Sequence, residues 1–198
     1  MKRSVFVAAV AATLLAVTPL ANAAIINWYA DLNGPNEAPP NASPGSGFAS
    51  VSVDTVAHTL HVQASFSDLL GTTTAAHIHC CTAVPLTGTV GVATMVPNFV
   101  GFPLGVTSGV YDATFDLQLA SSFNANFINN NGGTPASAEQ ALIAGMSAGR
   151  SYFNVHSTSF PGGEIRGFLV PVPEPTMLSL LALGLGAGLV ARRRQRST

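Results

Sequence analysis

From Leu60 to Phe66 the apolar residues Leu60, Val62, Ala64 and Phe66 alternate strictly with His61, Gln63 and Ser65. A period of two puts one set on a buried face and the other in water, which a strand satisfies and a helix does not. The run from Ser108 to Leu119 repeats the pattern, with Tyr111, Ala113, Phe115, Leu117 and Leu119 on one face and Asp112, Thr114, Asp116 and Gln118 on the other. A third run, Gly47 to Asp54, carries Phe48, Val51 and Val53, and Asp54 to His58 connects it to the Leu60 strand as a short hairpin. Further strands are expected at Ile25 to Leu32, Ala75 to Cys80, Thr87 to Thr94, Ser151 to His156 and Glu164 to Val170. Short strands punctuated by Gly and Pro define an all-β domain, a sandwich or a barrel. One helix interrupts them: Ser137-Ala138-Glu139-Gln140 reads as a capping box, Leu142, Ile143 and Met146 form an apolar stripe, and Gly149 ends it. A second short turn is expected over Ser121 to Ile128, and Pro39 to Gly47 and Asn129 to Pro135 read as surface loops.

The two ends carry signals of another kind. Lys2 and Arg3 precede an apolar run from Val5 to Val17, and Ala21-Asn22-Ala23 has the small-x-small pattern that a signal peptidase reads, so residues 1–23 are expected to be a signal peptide and Ala24 the mature N-terminus. At the other end Pro173, Glu174 and Pro175 precede an apolar run from Thr176 to Ala191 and then Arg192, Arg193, Arg194 and Arg196. As a helix those 16 residues rise ~24 Å against a hydrocarbon core of ~30 Å, a short transmembrane helix whose arginines stay in the cytoplasm. The triplet, apolar run and basic end, in that order, resemble the PEP-CTERM sorting signal of Gram-negative bacteria. The resemblance implies an inner-membrane intermediate, cleavage near the triplet by an exosortase, and release to the cell surface or an exopolysaccharide matrix. Residues 172–198 are therefore expected to form this signal, and residues 24–171 a single domain.

Within that domain Arg150 and Arg166 stand against Asp31, Glu37, Asp54, Asp68, Asp112, Asp116, Glu139 and Glu164, a net charge of −6 with no lysine. Such a surface repels phosphate backbones, which removes nucleic acid as a partner and leaves cations, glycans or proteins.

Two clusters hold the chemistry: Ala76-His77-Ile78-His79-Cys80-Cys81, and Tyr152-Phe153-Asn154-Val155-His156-Ser157-Thr158 followed by Pro161-Gly162-Gly163-Glu164-Ile165-Arg166-Gly167. Together with the early segment Leu32-Asn33-Gly34-Pro35-Asn36-Glu37-Ala38-Pro39-Pro40, they resemble the CHRD domain, over roughly Leu32 to Val170. Ser157 stands where that family usually has Thr, and Cys80-Cys81 replaces its small residues. The resemblance implies an immunoglobulin-like β-sandwich or barrel.

Residues two apart on a strand share a face, so His77 and His79 project together, close enough to grip one ion. If His156 lies on a neighbouring strand, three neutral imidazoles converge, a set that suits copper or zinc. The alternative is a buried polar network in which the ring nitrogens bond Glu164, Asn154 or backbone groups, with Glu164 and Arg166 as its charged members. The His-x-His strand is also similar to the copper-ligand strand of copper/zinc superoxide dismutases, although His58 and His61, on another hairpin, supply no second-metal cluster. Cys80 and Cys81, adjacent in an exported chain, are expected to pair with each other; bridging to another molecule and soft ligation of a metal are the other two readings.

The sequence contains neither a Gly-rich phosphate loop following a strand nor a His-Glu-x-x-His helix. The sequence thus reads as an exported, non-catalytic binding or structural module of the surface or matrix, with exopolysaccharide or surface proteins as partners. The second reading is a copper- or zinc-binding protein with redox activity of the superoxide-dismutase kind. The sorting signal makes a prediction of its own. The intact mass of the stable native product should correspond to a chain without the arginine cluster, and a stable product retaining residues beyond Thr176 would contradict it.

Overall fold

The computed structural model describes residues 25–172, so the signal peptide expected over residues 1–23 and the apolar segment expected within residues 172–198 lie outside it, apart from Val172. Among the described residues there are eight strands: β1 (Ile25–Asn33), β2 (Ser46–Asp54), β3 (Thr59–Ser67), β4 (Thr73–Cys80), β5 (Gly109–Asp116), β6 (Ser151–Ser157), β7 (Ile165–Phe168) and β8 (Val170–Pro171). Two helices, α1 (Ala125–Asn130) and α2 (Pro135–Ser147), lie between β5 and β6. The strands form one antiparallel sheet in the order β4-β6-β7-β1-β2-β3-β5, with β8 paired to β1. Of the two all-β forms left open by the sequence, this is the barrel: a single sheet, curled and open between β4 and β5.

The alternation read in the sequence sets the curl. Trp28, Ala30 and Leu32 of β1, Val51 and Val53 of β2, and Leu60 and Val62 of β3 are all buried, joined by Ile78, Phe153, Val155 and Ile165 from the other half. The β2–β3 hairpin is held by the Asp54 carboxylate, which accepts the N–H groups of Val56 and Ala57 at 2.9 and 2.8 Å.

The opening between β4 and β5 is filled by the connection between them. Ala93 and Thr94 donate to the carbonyl of Ile78, Phe99 to that of Ala76 and Gly105 to that of Thr73, so the free edge of β4 is covered by backbone that is not a strand. Phe99, fully buried, stacks on Phe115 of the edge strand β5 and on Phe153 of β6, next to the β4 edge, at 5.6 and 5.8 Å, which bridges the opening through one side chain. The strand expected at Thr87 to Thr94 is therefore not formed: only single bridges pair Val92 with His79 and Thr94 with Phe123. Leu86 and Gly88 have left-handed backbone in this stretch (φ 58° and 84°), which breaks an extended run. The β5 strand also ends earlier than Leu119, which is exposed.

The helix starts earlier than its sequence suggests. Thr134, followed by Pro135, is the cap, and Ser137 occupies the third position of a capping box in the place usually held by Glu or Gln. The side chains of Ala138, Leu142 and Met146 are buried, and Gly145 lies against Cys80 and Cys81, whose sulfurs are bonded to each other. A Cβ at Gly145 would stand 2.3 Å from Cys80 Sγ, so that helix face approaches β4 only with glycine there.

Replacing Phe99 with alanine should lower unfolding free energy by about 3–5 kcal/mol, the usual cost of a buried aromatic deletion. Denaturant titration measures it; a loss below about 1 kcal/mol would show that the connection does not belong to the core.

Candidate metal centre

Strands β4, β6 and β7 have two faces. Ile78, Phe153, Val155 and Ile165 face the barrel interior, which sends His77 and His79, Tyr152, Asn154 and His156, and Arg166 to the outside. An outward face of an antiparallel sheet is ordinarily wet. Here it is not: His77 is 6% exposed, His79 8%, Asn154 2% and Arg166 4%. Three connections cover it, contributing Val90 and Pro97 after β4, Asn36 and Glu37 after β1, and Pro161 and Gly163 after β6.

The register brings the three histidines together. His77 pairs with Asn154 and His79 with Tyr152, while His156 pairs with Ala75, one step diagonal to His77. The rings of His77 and His156 are 5.3 Å apart, and one nitrogen of each of the three rings lies within 4.8 Å of the others. Each ring also meets a backbone carbonyl: His77 Nε2 meets that of Pro97 at 2.6 Å, His79 Nδ1 that of Val90 at 2.8 Å and His156 Nδ1 that of Pro161 at 2.9 Å. A carbonyl can only accept, so those nitrogens carry the protons and donate. The remaining nitrogens, Nδ1 of His77 and Nε2 of His79 and His156, keep their lone pairs; all three are buried without a partner. Burial pushes His77 and His79 down to about 4, and His156 down as well, against hydrogen bonds that act the other way. The imidazoles are thus neutral at pH 7 and fixed in the tautomers that leave a free lone pair each.

Tyr152 supports one of the three. Its ring stacks on His79 with centroids 4.7 Å apart, and its hydroxyl donates at 3.2 Å to the Val90 carbonyl that also accepts from His79. The Arg166 guanidinium lies 4.7 Å above the Tyr152 ring and donates to the carbonyls of Asn36 and Gly88. Glu37 is 3.7 Å from it; burial raises that carboxyl to about 7, with the arginine offsetting only part of the cost.

Of the residues expected to form a polar network, Asn154 and Arg166 are direct partners across β6 and β7. Glu164 is elsewhere: it accepts from Ser43 at 2.6 Å and from the N–H groups of Leu70 and Gly71. Its burial opposes ionisation, but hydrogen bonds from Ser157, Ser43 and those two amides outweigh it and hold the carboxyl below its usual range. Gly163 has φ 135°, and a Cβ there would sit 2.6 Å from the Asn154 amide atoms and from Glu37 Oε1. His58 pairs with Glu139 and His61 with Asp112, both away from the cluster. The sequence placed Tyr152 at the start of the second cluster without a role in the site, and it did not single out Glu37. Extending the alternation of Asn154 and His156 by one step would have placed Tyr152 on the histidine face.

The barrel and its covered imidazole face define an all-β module with a candidate metal centre on its sheet. The family model of the CHRD domain matches residues 28–169, which takes in the histidines, Glu37, Tyr152 and Arg166, and the chain belongs to that family. The model of the PEP-CTERM protein-sorting motif matches residues 171–195, so the protein is exported through the membrane to the cell surface of a Gram-negative bacterium, with processing by an exosortase. No curated protein and no solved structure matches the chain.

The buried imidazoles set a pH dependence. In the unfolded chain histidine titrates near 6.5, whereas in the fold His77 and His79 take up protons only near 4. Between those values the unfolded state binds more protons, so stability is complete above about 6.5 and falls as pH drops toward 4. Glu37 acts oppositely between about 7 and 4.5, one group against three. In the presence of chelator the denaturation midpoint should fall between pH 7 and pH 5, and less so for His77→Gln with His79→Gln. A midpoint that rises over that interval would contradict neutral buried imidazoles.

Proposed function

We propose that this exported surface domain is a metal-binding module that holds one copper or zinc ion at His77, His79 and His156. One observation carries the reading: each imidazole uses one nitrogen on a backbone carbonyl and keeps the other, buried and without a partner, in a group where one nitrogen of each ring lies within 4.8 Å of the others. In metal sites the outer hydrogen bond on a ligating histidine fixes its tautomer and orientation, and here Pro97, Val90 and Pro161 supply it. A fully hydrogen-bonded network would not leave three buried acceptors bare, because each lost partner costs about 1–3 kcal/mol.

The domain that carries the site runs from residue 24 to residue 171, with residues 1–23 and 172–198 acting as its export and sorting signals. Asn154, Glu164 and Arg166 serve it as structural residues, and Cys80 with Cys81 fixes the end of β4. Its place is the surface or the exopolysaccharide matrix, where binding of the ion is its role and catalysis is not.

The test is metal analysis of the full chain, stripped with chelator, incubated with copper or zinc and desalted. One ion per chain is expected, and each of His77→Gln, His79→Gln and His156→Gln should weaken binding by on the order of tenfold or more. Combining His79→Gln with His156→Gln should be non-additive, since the two act in one site. No retained metal, or wild-type retention in all three single variants, would overturn the assignment.

A further inference from the structure

We propose that the ion held by His77, His79 and His156 is monovalent copper, bound by the three imidazoles alone. The inference rests on the metal-site reading above and concerns what charge and coordination number the surroundings accept.

Charge comes first. Three neutral imidazoles bring none. Among the described residues no other His, Cys, Asp or Glu joins the group. Glu37, on the same covered face, is set against Arg166 at 3.7 Å, and Glu164 is turned to Ser43, Leu70 and Gly71. The fixed charge stacked toward the cluster is positive: the Arg166 guanidinium lies over Tyr152, and the Tyr152 ring lies over His79. Born energies scale with the square of the charge, so a divalent ion in such a desolvated, neutral-ligand site costs about four times as much solvation energy as a monovalent one.

Coordination number points the same way. Zinc takes four donors, so on three histidines it needs a bound water as the fourth, and divalent copper prefers a tetragonal set. Of the other polar side chains on this face, the Tyr152 hydroxyl is aimed at Val90 and the Arg166 guanidinium at two carbonyls, while Asn154 Oδ1 is buried without a hydrogen-bond partner. The sulfurs that would otherwise attract monovalent copper are bonded to each other, and Cys80 follows His79 on the strand, so its side chain leaves from the opposite face. Three imidazole nitrogens alone satisfy a trigonal monovalent ion, whereas a divalent one needs a water or another donor to complete its shell.

The experiment uses the full chain, purified in detergent and stripped with chelator. Monovalent copper is delivered anaerobically as its bicinchoninate complex, and zinc and divalent copper are titrated against chromophoric chelators. One monovalent copper per chain is expected, bound at least a hundredfold more tightly than zinc, with X-ray absorption at the copper edge reading three nitrogen neighbours. His156→Gln, at the least buried of the three positions, should lose that tightness while keeping the wild-type circular dichroism. Zinc or divalent copper binding as tightly as monovalent copper, or an edge spectrum with two or four neighbours, would overturn the oxidation-state inference and leave the three-histidine site standing. Failure to bind any of the three ions would overturn both.

Discussion

The carbonyl of Val90 accepts two hydrogen bonds, from the His79 imidazole and from the Tyr152 hydroxyl, and the arrangement of the covered face follows from that. It draws the connection after β4 down onto the outer surface of the sheet. With Pro97 doing the same for His77, the backbone there satisfies side chains where a ladder partner would otherwise be. The free edge of β4 is closed, the imidazoles are shut away from water, and their tautomers are fixed by the same bonds. Phe99 then enters the core between β4 and β5, so the connection that covers the site also completes the barrel.

Strands were legible in this sequence wherever one face is buried and the other wet, as in Leu60 to Phe66, because alternation records that asymmetry directly. The expected strand at Thr87 to Thr94 shows the limit. Its composition fits a strand, but its carbonyls go to His79, Tyr152 and β4, and an acceptor on the backbone leaves no mark on the residue that carries it. The helix start was displaced for a related reason: Ser137 fills the third position of the capping box with a hydroxyl, so the usual Glu or Gln signal falls three residues too late. At the site, the i, i+2 spacing of His77 and His79 was readable, whereas the approach of Glu37 to Arg166 depends on two connections far apart in sequence.

The segment Pro161-Gly162-Gly163-Glu164-Ile165-Arg166 acquires a physical meaning residue by residue. The Pro161 carbonyl accepts the hydrogen bond of His156 Nδ1–H, and Gly163 admits the Asn154 amide and Glu37. Glu164 ties three connections together through Ser43, Leu70 and Gly71, Ile165 enters the core, and Arg166 returns to the covered face. Apart from Gly162, whose surroundings are open, the residues of this segment each answer to a different neighbour, so they tolerate little change.

The pairing of β8 with β1 fixes where the chain leaves the barrel. Pro171 lies opposite Trp28, and the Val172 N–H donates to the Asn27 carbonyl, so the last described residues are stitched beside the first strand. The sorting motif begins at residue 171, on that seam. A blade falling beyond the seam severs a tail without opening the sheet, and the severed barrel keeps its closing stitch. Tension on the uncut tail, by contrast, loads only a two-residue strand, which would peel before any bond around the imidazoles is strained.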